Sequence, residues 1–114
     1  VDFEYGAISC KRRNDRICVR FELSNLGEME ADEVVQLYVR RPDSKIERPV
    51  KELKAFDRVT LKAGETKKVM LEFPMNELAH WDINTGAWVI EPGVVEILVG
   101  SGSDDIRQTG SIEI

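Results

Sequence analysis

The sequence predicts an all-β fold in which about seven short strands form a two-sheet antiparallel sandwich. Apolar and polar residues alternate over several short runs, which is the pattern of strands that are buried on one face. Gly, Pro and Asn residues separate these runs at intervals of about 8 to 12 residues, a spacing typical of sandwiches. Because the length suits one hydrophobic core, we expect residues 1–114 to form a single domain.

The first two thirds of the chain contain the clearest strands. Residues 17–24 alternate strictly between apolar and polar side chains and indicate one long strand. Residues 35–40 repeat the alternation after a turn. A third stretch at residues 59–61 leads through another turn into the run at residues 69–73, which Pro74 stops. This spacing is typical of a meander, in which neighbouring strands run antiparallel.

The last third contains three more strand candidates, at residues 88–90, 95–99 and 106–114. Before them, residues 75–80 carry a helical signal of about one turn, for which Asn76 is a candidate N-cap. We expect this short helix to connect two strands.

Two cysteines, Cys10 and Cys18, flank a predicted turn within residues 11–16. A three-residue loop would place Cys10 opposite Cys18, whereas a two-residue loop would place it opposite Val19. The sequence leaves both loops open. We expect two free thiols, because a disulfide between directly paired strands is geometrically demanding.

The charge balance argues against nucleic acid as a partner. The chain has 16 Lys and Arg against 21 Asp and Glu, a formal net charge of -5, whereas nucleic-acid binders rely on a positive surface. No apolar run approaches the roughly 18 residues that a membrane helix needs, so no membrane contact is expected. The sequence begins at Val1 without Met and enters a strand-like pattern at once, which indicates a segment of a longer polypeptide.

No group of residues in the sequence predicts a catalytic, cofactor or metal site. Acidic residues crowd two predicted turns, at residues 28–33 and 104–105, where carboxylates usually only solvate a surface. Neither cluster has the ligand spacing of a calcium loop. His80 is the only histidine, and the sequence lacks the GxSxG motif that would suggest a nucleophilic serine.

Two other features are candidates for contacts. Trp81 and Trp88 could form a platform for sugar stacking, but packing in the core or at a domain interface is favoured because Trp88 lies in an apolar run. The irregular stretch at residues 41–49 is polar and basic in an acidic protein. That composition fits a loop facing an acidic surface and fits a solvated loop equally well.

Several segments, in order, together resemble one family. They are FEY at residues 3–5, DEVVQLYV at 32–39, ERPVKELKAF at 47–56, LKAGE at 61–65, LAHWD at 78–82, WVIEPG at 88–93 and LVGS at 98–101. This string resembles the fibronectin type III-like domain that closes many family 3 glycoside hydrolases, chiefly β-glucosidases and β-xylosidases. The departures are small: Ala55 stands where a glycine is common, and His80 where another aromatic residue is common.

The resemblance implies a fibronectin type III or immunoglobulin-like sandwich without a catalytic residue, because the family's reacting carboxylates belong to upstream domains. It implies that the module packs on the catalytic domains of a parent enzyme, with a second subunit as a further possible partner. The expected contacts with those domains come from the long loop and one tryptophan: Arg41, Asp43, Ile46, Arg48 and Trp81. A carbohydrate-binding or protein-interaction module is the alternative. The compartment is left open, with a periplasmic or secreted parent as one option.

Overall fold

Ten β-strands and one short 3-10 helix make up the fold in a computed structural model, which describes residues 2–42, 44–45 and 51–114. The elements are β1 (Phe3–Tyr5), β2 (Ser9–Arg13), β3 (Arg16–Asn25), β4 (Ala31–Arg40), β5 (Glu52–Leu61), β6 (Thr66–Pro74), η1 (Met75–Leu78), β7 (Ala79–Asp82), β8 (Ala87–Ile90), β9 (Val94–Gly102) and β10 (Asp105–Glu113). The predicted all-β class is confirmed.

The strands form two four-stranded antiparallel sheets. In sheet A, β3 is central, β6 pairs with one edge of it, and β1 and β2 share the other edge. Sheet B has the order β10-β9-β4-β5. Since β1 and β2 occupy one strand position, the sandwich has the seven positions that the sequence predicts, and the β7–β8 hairpin is an addition to it.

The core lies between the sheets and uses every second residue of the long strands. Ile17, Val19 and Leu23 of β3 are fully buried, as are Val35 and Leu37 of β4. Each buried side chain of this size stabilises a fold by about 1.5–3 kcal/mol. The alternation of the sequence therefore identifies the inner face of each sheet correctly.

A two-residue turn joins β2 to β3 and decides the position of the cysteines. Arg13 pairs with Arg16, and Asn14 adopts a positive φ of 55°, which asparagine tolerates well. Cys10 consequently lies opposite Val19 and points toward the core, whereas Cys18 lies on the outer face. Both thiols are free, as expected from the sequence, and burial raises the pKa of each.

A polar cluster ties β1 of sheet A to sheet B. The Tyr5 hydroxyl donates to a Glu33 carboxylate oxygen at 3.0 Å, and the Arg107 guanidinium lies 5.5 Å from the centre of the Tyr5 ring. Arg107 also pairs with Asp105 at 2.6 Å and donates to the Phe3 carbonyl at 3.1 Å. Burial, with the Glu33 carboxylate, raises the pKa of Tyr5, so this hydroxyl remains a neutral donor.

Two exposed carboxylates are held ionised by hydrogen bonds. Thr60 and Arg58 donate to Asp32 and lower the pKa of that group. Arg107 and Ser101 do the same for Asp105. Both contacts join neighbouring strands or close a turn, so their protonation will weaken the fold.

The short helix differs from its prediction in two details. It ends at Leu78, because β7 begins at Ala79, and Asn76 does not cap it. The residue before the first turn is Pro74, which makes no side-chain capping bond, and the Met75 N–H instead donates to the Asp15 carbonyl at 2.6 Å. Within the described residues, no helix is long or apolar enough to cross a membrane.

Candidate interdomain contact surface

The β7–β8 hairpin, here called the hairpin arm (residues 79–90), forms a separate two-stranded sheet among the described residues and presents two tryptophans to solvent. Trp81 and Trp88 lie directly opposite each other, with ring centres 5.6 Å apart and planes at 73°. Their exposed fractions are 51% and 69%, and Ile83 at the tip is 84% exposed. The tryptophans therefore do not pack in the core, and of the interpretations given above, interface packing and a sugar-stacking platform remain.

The turn of the hairpin arm is closed by local hydrogen bonds. The Gly86 N–H donates to the Asp82 carbonyl at 2.8 Å, and the Asn84 N–H donates to the Asp82 carboxylate at 3.0 Å. Gly86 has a φ of +65°, a left-handed conformation that glycine adopts without steric cost. This turn therefore holds Ile83 at a defined, outward-facing position.

The start of the long loop is anchored at the base of the hairpin arm. Arg41 donates to the carbonyl oxygens of Val94 and Glu91, at 3.1 and 2.5 Å. The Glu91 carboxylate accepts from the Ser44 hydroxyl at 2.7 Å and from the Lys45 N–H at 2.9 Å. The loop and the arm thus emerge from the same end of the sandwich. Three predicted contact residues lie outside the described residues: Asp43, Ile46 and Arg48.

The outer face of sheet B carries a second set of exposed apolar residues, here called the apolar face: Val34, Leu53 and Phe56. Their exposed fractions are 41%, 48% and 69%. Phe56 pairs with Gln36 and Leu53 with Tyr38, both of which point away from the core. Leu98 of β9 pairs with Tyr38 and also lies on the outer face, but it is only 8% exposed.

A β-bulge produces this arrangement. Ala55 pairs with Leu37 while Leu53 pairs with Tyr38, so Lys54 is an extra residue in β5. If β5 alternated regularly through Lys54, without a bulge, Leu53 would share the inner face with Ala55. The bulge therefore turns Leu53 outward, to the same side as Phe56.

Sequence reasoning missed Ile83, Leu53 and Phe56 as contact candidates. Phe56 could have been found from the sequence. It is a large aromatic residue at a position where the alternation with the buried Val59 and Leu61 predicts an outward-facing polar side chain. For Leu53 no signal existed, since its phase matches the buried residues and only the bulge reverses it. For Ile83, its place among turn-forming residues was the available signal.

Of three recesses in the described part of the surface, none contains more than one acidic residue. One, of about 530 Å³, opens where β1 breaks from β2 and includes one acid, Glu22, beside Lys68. The second, of about 270 Å³, lies between β5 and β6 and includes one acid, Asp57. A third of about 80 Å³, on the outer face of sheet A, includes none. Across the described ranges, no group of His, Cys, Asp or Glu could hold a metal ion.

The chain is similar to segments of much longer proteins. A family model described as "Fibronectin type III-like domain" matches residues 33–103. "Thermostable beta-glucosidase B" of Acetivibrio thermocellus is 36% identical over 116 residues, covering 98% of this chain and 15% of that protein. "Probable beta-glucosidase L" of Emericella nidulans is 38% identical over 92 residues, covering 81% of this chain and 12% of that protein.

Solved structures give the same result for the fold. The crystal structure of β-glucosidase from Kluyveromyces marxianus in complex with glucose has a TM-score of 0.91 and 34% identity, covering 99% of this chain and 14% of that one. β-Glucosidase 3B from Thermotoga neapolitana, in complex with glucose, has a TM-score of 0.89 and 34% identity, covering 98% of this chain and 16% of that one. The chain thus spans less than a fifth of each of these relatives.

Proposed function

The chain belongs to the fibronectin type III-like domain family, and from this membership we propose that it is a non-catalytic accessory domain of a larger family 3 glycoside hydrolase of the β-glucosidase type. Its role is to pack against the other domains of that enzyme and to stabilise them. The predicted contact residues Arg41 and Trp81 belong to this proposal, Arg41 by holding the loop and Trp81 by direct contact.

The observation that carries the proposal is the exposure of large apolar side chains on the hairpin arm and on the apolar face. Ile83 is 84% exposed, and Trp88 and Phe56 are each 69% exposed. Large exposed apolar patches on a soluble domain mark surfaces that another molecule or domain covers. The relatives suggest what covers these surfaces, because more than four fifths of their length lies outside the matched segment and can form the domains that pack here.

The recesses support a non-catalytic role. Glycoside hydrolysis uses two carboxyl groups that face each other across the bond to be cleaved, at separations of about 5 to 10 Å. Each larger recess in the described part of the chain contains one acid, Glu22 or Asp57, next to lysine. The pair that the reaction requires is therefore expected in other domains of the enzyme.

The geometry of the tryptophan pair disfavours a sugar-binding platform. A flat platform requires rings that are roughly coplanar, whereas the planes of Trp81 and Trp88 meet at 73°. An edge-to-face pair suits insertion into an apolar groove better, because it presents apolar surface on several sides.

The test replaces Ile83 by serine in the full-length polypeptide and in the 114-residue chain. Covering a side chain of this size contributes about 1.5–3 kcal/mol, so the full-length protein should unfold at a lower temperature while the short chain should not change. Thr85→Ser, in the same turn, is the matched control. Activity is followed with aryl β-glucosides and β-xylosides, and binding with insoluble polysaccharide.

Two outcomes would contradict the packing role. One is an Ile83→Ser full-length protein with unchanged thermal stability. The other is saturable binding of the short chain to insoluble polysaccharide that Trp88→Ala abolishes, which would make the domain a carbohydrate-binding module.

A further inference from the structure

Four cationic side chains line the outer face of sheet A along the β2–β3 hairpin, and we call them the cationic strip: Lys11, Arg13, Arg16 and Arg20. They share one face because Arg13 pairs with Arg16, Lys11 with Cys18, and Ser9 with Arg20, while Ile17 and Val19 of β3 point into the core. Residues 11–20 contain five of the 16 Lys and Arg but only one acid, in a chain of net charge -5. Four of these five, all except Arg12, therefore lie close together on this face.

Two acids share this face, Glu22 next to Arg20 along β3 and Glu72 on β6, and among the described residues Arg16 alone of the four cations forms an ion pair with either of them. Glu72 is the acid on the adjacent strand, and its carboxylate contacts Arg16 at 3.2 Å and the Cys18 thiol at 3.5 Å. Within the described residues, Lys11, Arg13 and Arg20 form no ion pair at 4 Å or less. Arg13 and Arg16, moreover, are directly opposite each other, and like charges in that position destabilise a hairpin.

Protection of an edge strand explains only part of this arrangement. Lysine and arginine on an edge strand discourage pairing with other chains, and β2 is an edge strand of sheet A. Arg16 and Arg20, however, are on β3, the central strand. Arg16 pairs with Glu72, whereas an anionic ligand across the face would supply a partner for Arg20 as well as for Lys11 and Arg13.

The shape of the strip favours a linear ligand. Successive outward residues of a strand are about 6.7 Å apart, so the strip presents charges at regular intervals around a shallow recess of about 80 Å³, which Ser9 and Cys18 help to line. Interfaces between folded proteins have an apolar centre ringed by polar groups. Here the apolar neighbour is Met70, at one end beside Arg20, so the strip has a charged centre.

We propose that the cationic strip binds a linear anionic polysaccharide, whose repeated carboxylates lie across Lys11, Arg13 and Arg20. The site does not depend on the packing role proposed above. The apolar face and the strip are on opposite outer faces of the sandwich, so one can be covered while the other stays accessible.

The experiment measures binding of the 114-residue chain to polygalacturonate at about 20 mM salt, where surface charges are weakly screened. Fully methyl-esterified polygalacturonate has the same backbone without the charge, and a DNA single strand of equal charge tests the class of polymer. Arg13→Glu is the main variant, because it replaces the like-charged pair with an attractive one and should fold at least as stably. Lys62→Glu, in the exposed turn between β5 and β6, is the charge-matched control.

We expect binding to polygalacturonate that the ester does not show, a loss of about tenfold or more for Arg13→Glu, and a change of less than about twofold for Lys62→Glu. Urea unfolding should show an Arg13→Glu midpoint equal to or above that of the unmodified chain. Three results would each overturn the proposal: no binding by the folded chain, equal losses for the two variants, or tighter binding of the DNA strand. None of them bears on the thermal stability of the full-length protein, so the two proposals fail separately.

Discussion

Replacing Phe56 by threonine tests whether the apolar face is covered in the full-length protein. Threonine keeps a high preference for strands, so the change removes the ring and little else. Phe56 is 69% exposed. An aromatic side chain buries about 150–250 Å² when it is fully covered, so roughly 140 Å² is left for another domain to cover. At about 25 cal/mol per Å², covering it stabilises the full-length protein by about 3.5 kcal/mol.

The assay compares two proteins and two positions. In the 114-residue chain, Phe56→Thr should change the free energy of unfolding in urea by less than about 0.5 kcal/mol, because the ring is already in water. In the full-length polypeptide, the same change should lower the unfolding midpoint clearly. Phe73 is 1% exposed, and Phe73→Ala should cost about 3–5 kcal/mol in the short chain, where Phe56→Thr has little effect.

Two results would refute the reasoning for Phe56. If Phe56→Thr destabilises the short chain as much as Phe73→Ala does, the ring belongs to the domain's own packing. If the full-length protein is unchanged, sheet B faces solvent there, and the contacts are restricted to the hairpin arm.

Three further changes test the fold itself. A Cβ added at Gly100 would lie 1.9 Å from the Asp105 carbonyl oxygen, so Gly100→Ala should cost about 3 kcal/mol or more in urea unfolding, whereas Gly102→Ala meets nothing within 4 Å and should be tolerated. The fully buried Asn25 amide makes hydrogen bonds of 2.8, 2.9 and 3.1 Å, and Asn25→Ala should cost about 3 kcal/mol in the same assay, because buried backbone groups lose their partners. Hydrogen bonds lower the pKa of Asp32 and Asp105, so the stabilisation from these two carboxylates is present above about pH 4 and is lost as pH falls through the lowered pKa values. Thermal unfolding measured at pH 7 and at about pH 3 should therefore show a smaller drop in unfolding temperature for the Asp32→Asn, Asp105→Asn double variant than for the unmodified chain.

The alternation of apolar and polar residues predicts the sandwich strands well, because each strand has one face toward solvent and one face in the core. The run from Ile17 to Leu23 and the run from Val69 to Phe73 are buried at every second residue, as the sequence indicates. The two-residue turn between β2 and β3 was not predictable, since the same polar residues suit a three-residue loop. In the structure β3 begins at Arg16, which pairs with Arg13 on one side and with Pro74 of β6 on the other.

The hairpin arm could not be predicted for a different reason. The apolar run at Trp88, Val89 and Ile90 has the composition of a core strand, yet Trp88 is exposed and only the far end of the strand packs on the core, through Ile90. An apolar run in a sequence indicates side chains that are buried in the functional protein. The run looks the same whether those side chains are buried within their own domain or against another domain. Exposure in the folded chain separates the two cases.

The two outer faces of the sandwich differ in a way that folding alone does not require. An antiparallel sandwich in water is stable with polar residues on both outer faces, and sheet A follows this with charged residues such as Arg20 and Glu72, apart from the half-exposed Met70. Sheet B departs from it at Leu53 and Phe56, and Leu53 reaches that face only because of the bulge at Lys54. A bulge interrupts the strand ladder, and the residue it turns outward exposes apolar surface, so both effects weaken the isolated domain. Features that destabilise an isolated domain, such as this bulge and these exposed apolar residues, occur most often at surfaces that have a function. We therefore expect the apolar face to be the side of this domain that another domain covers.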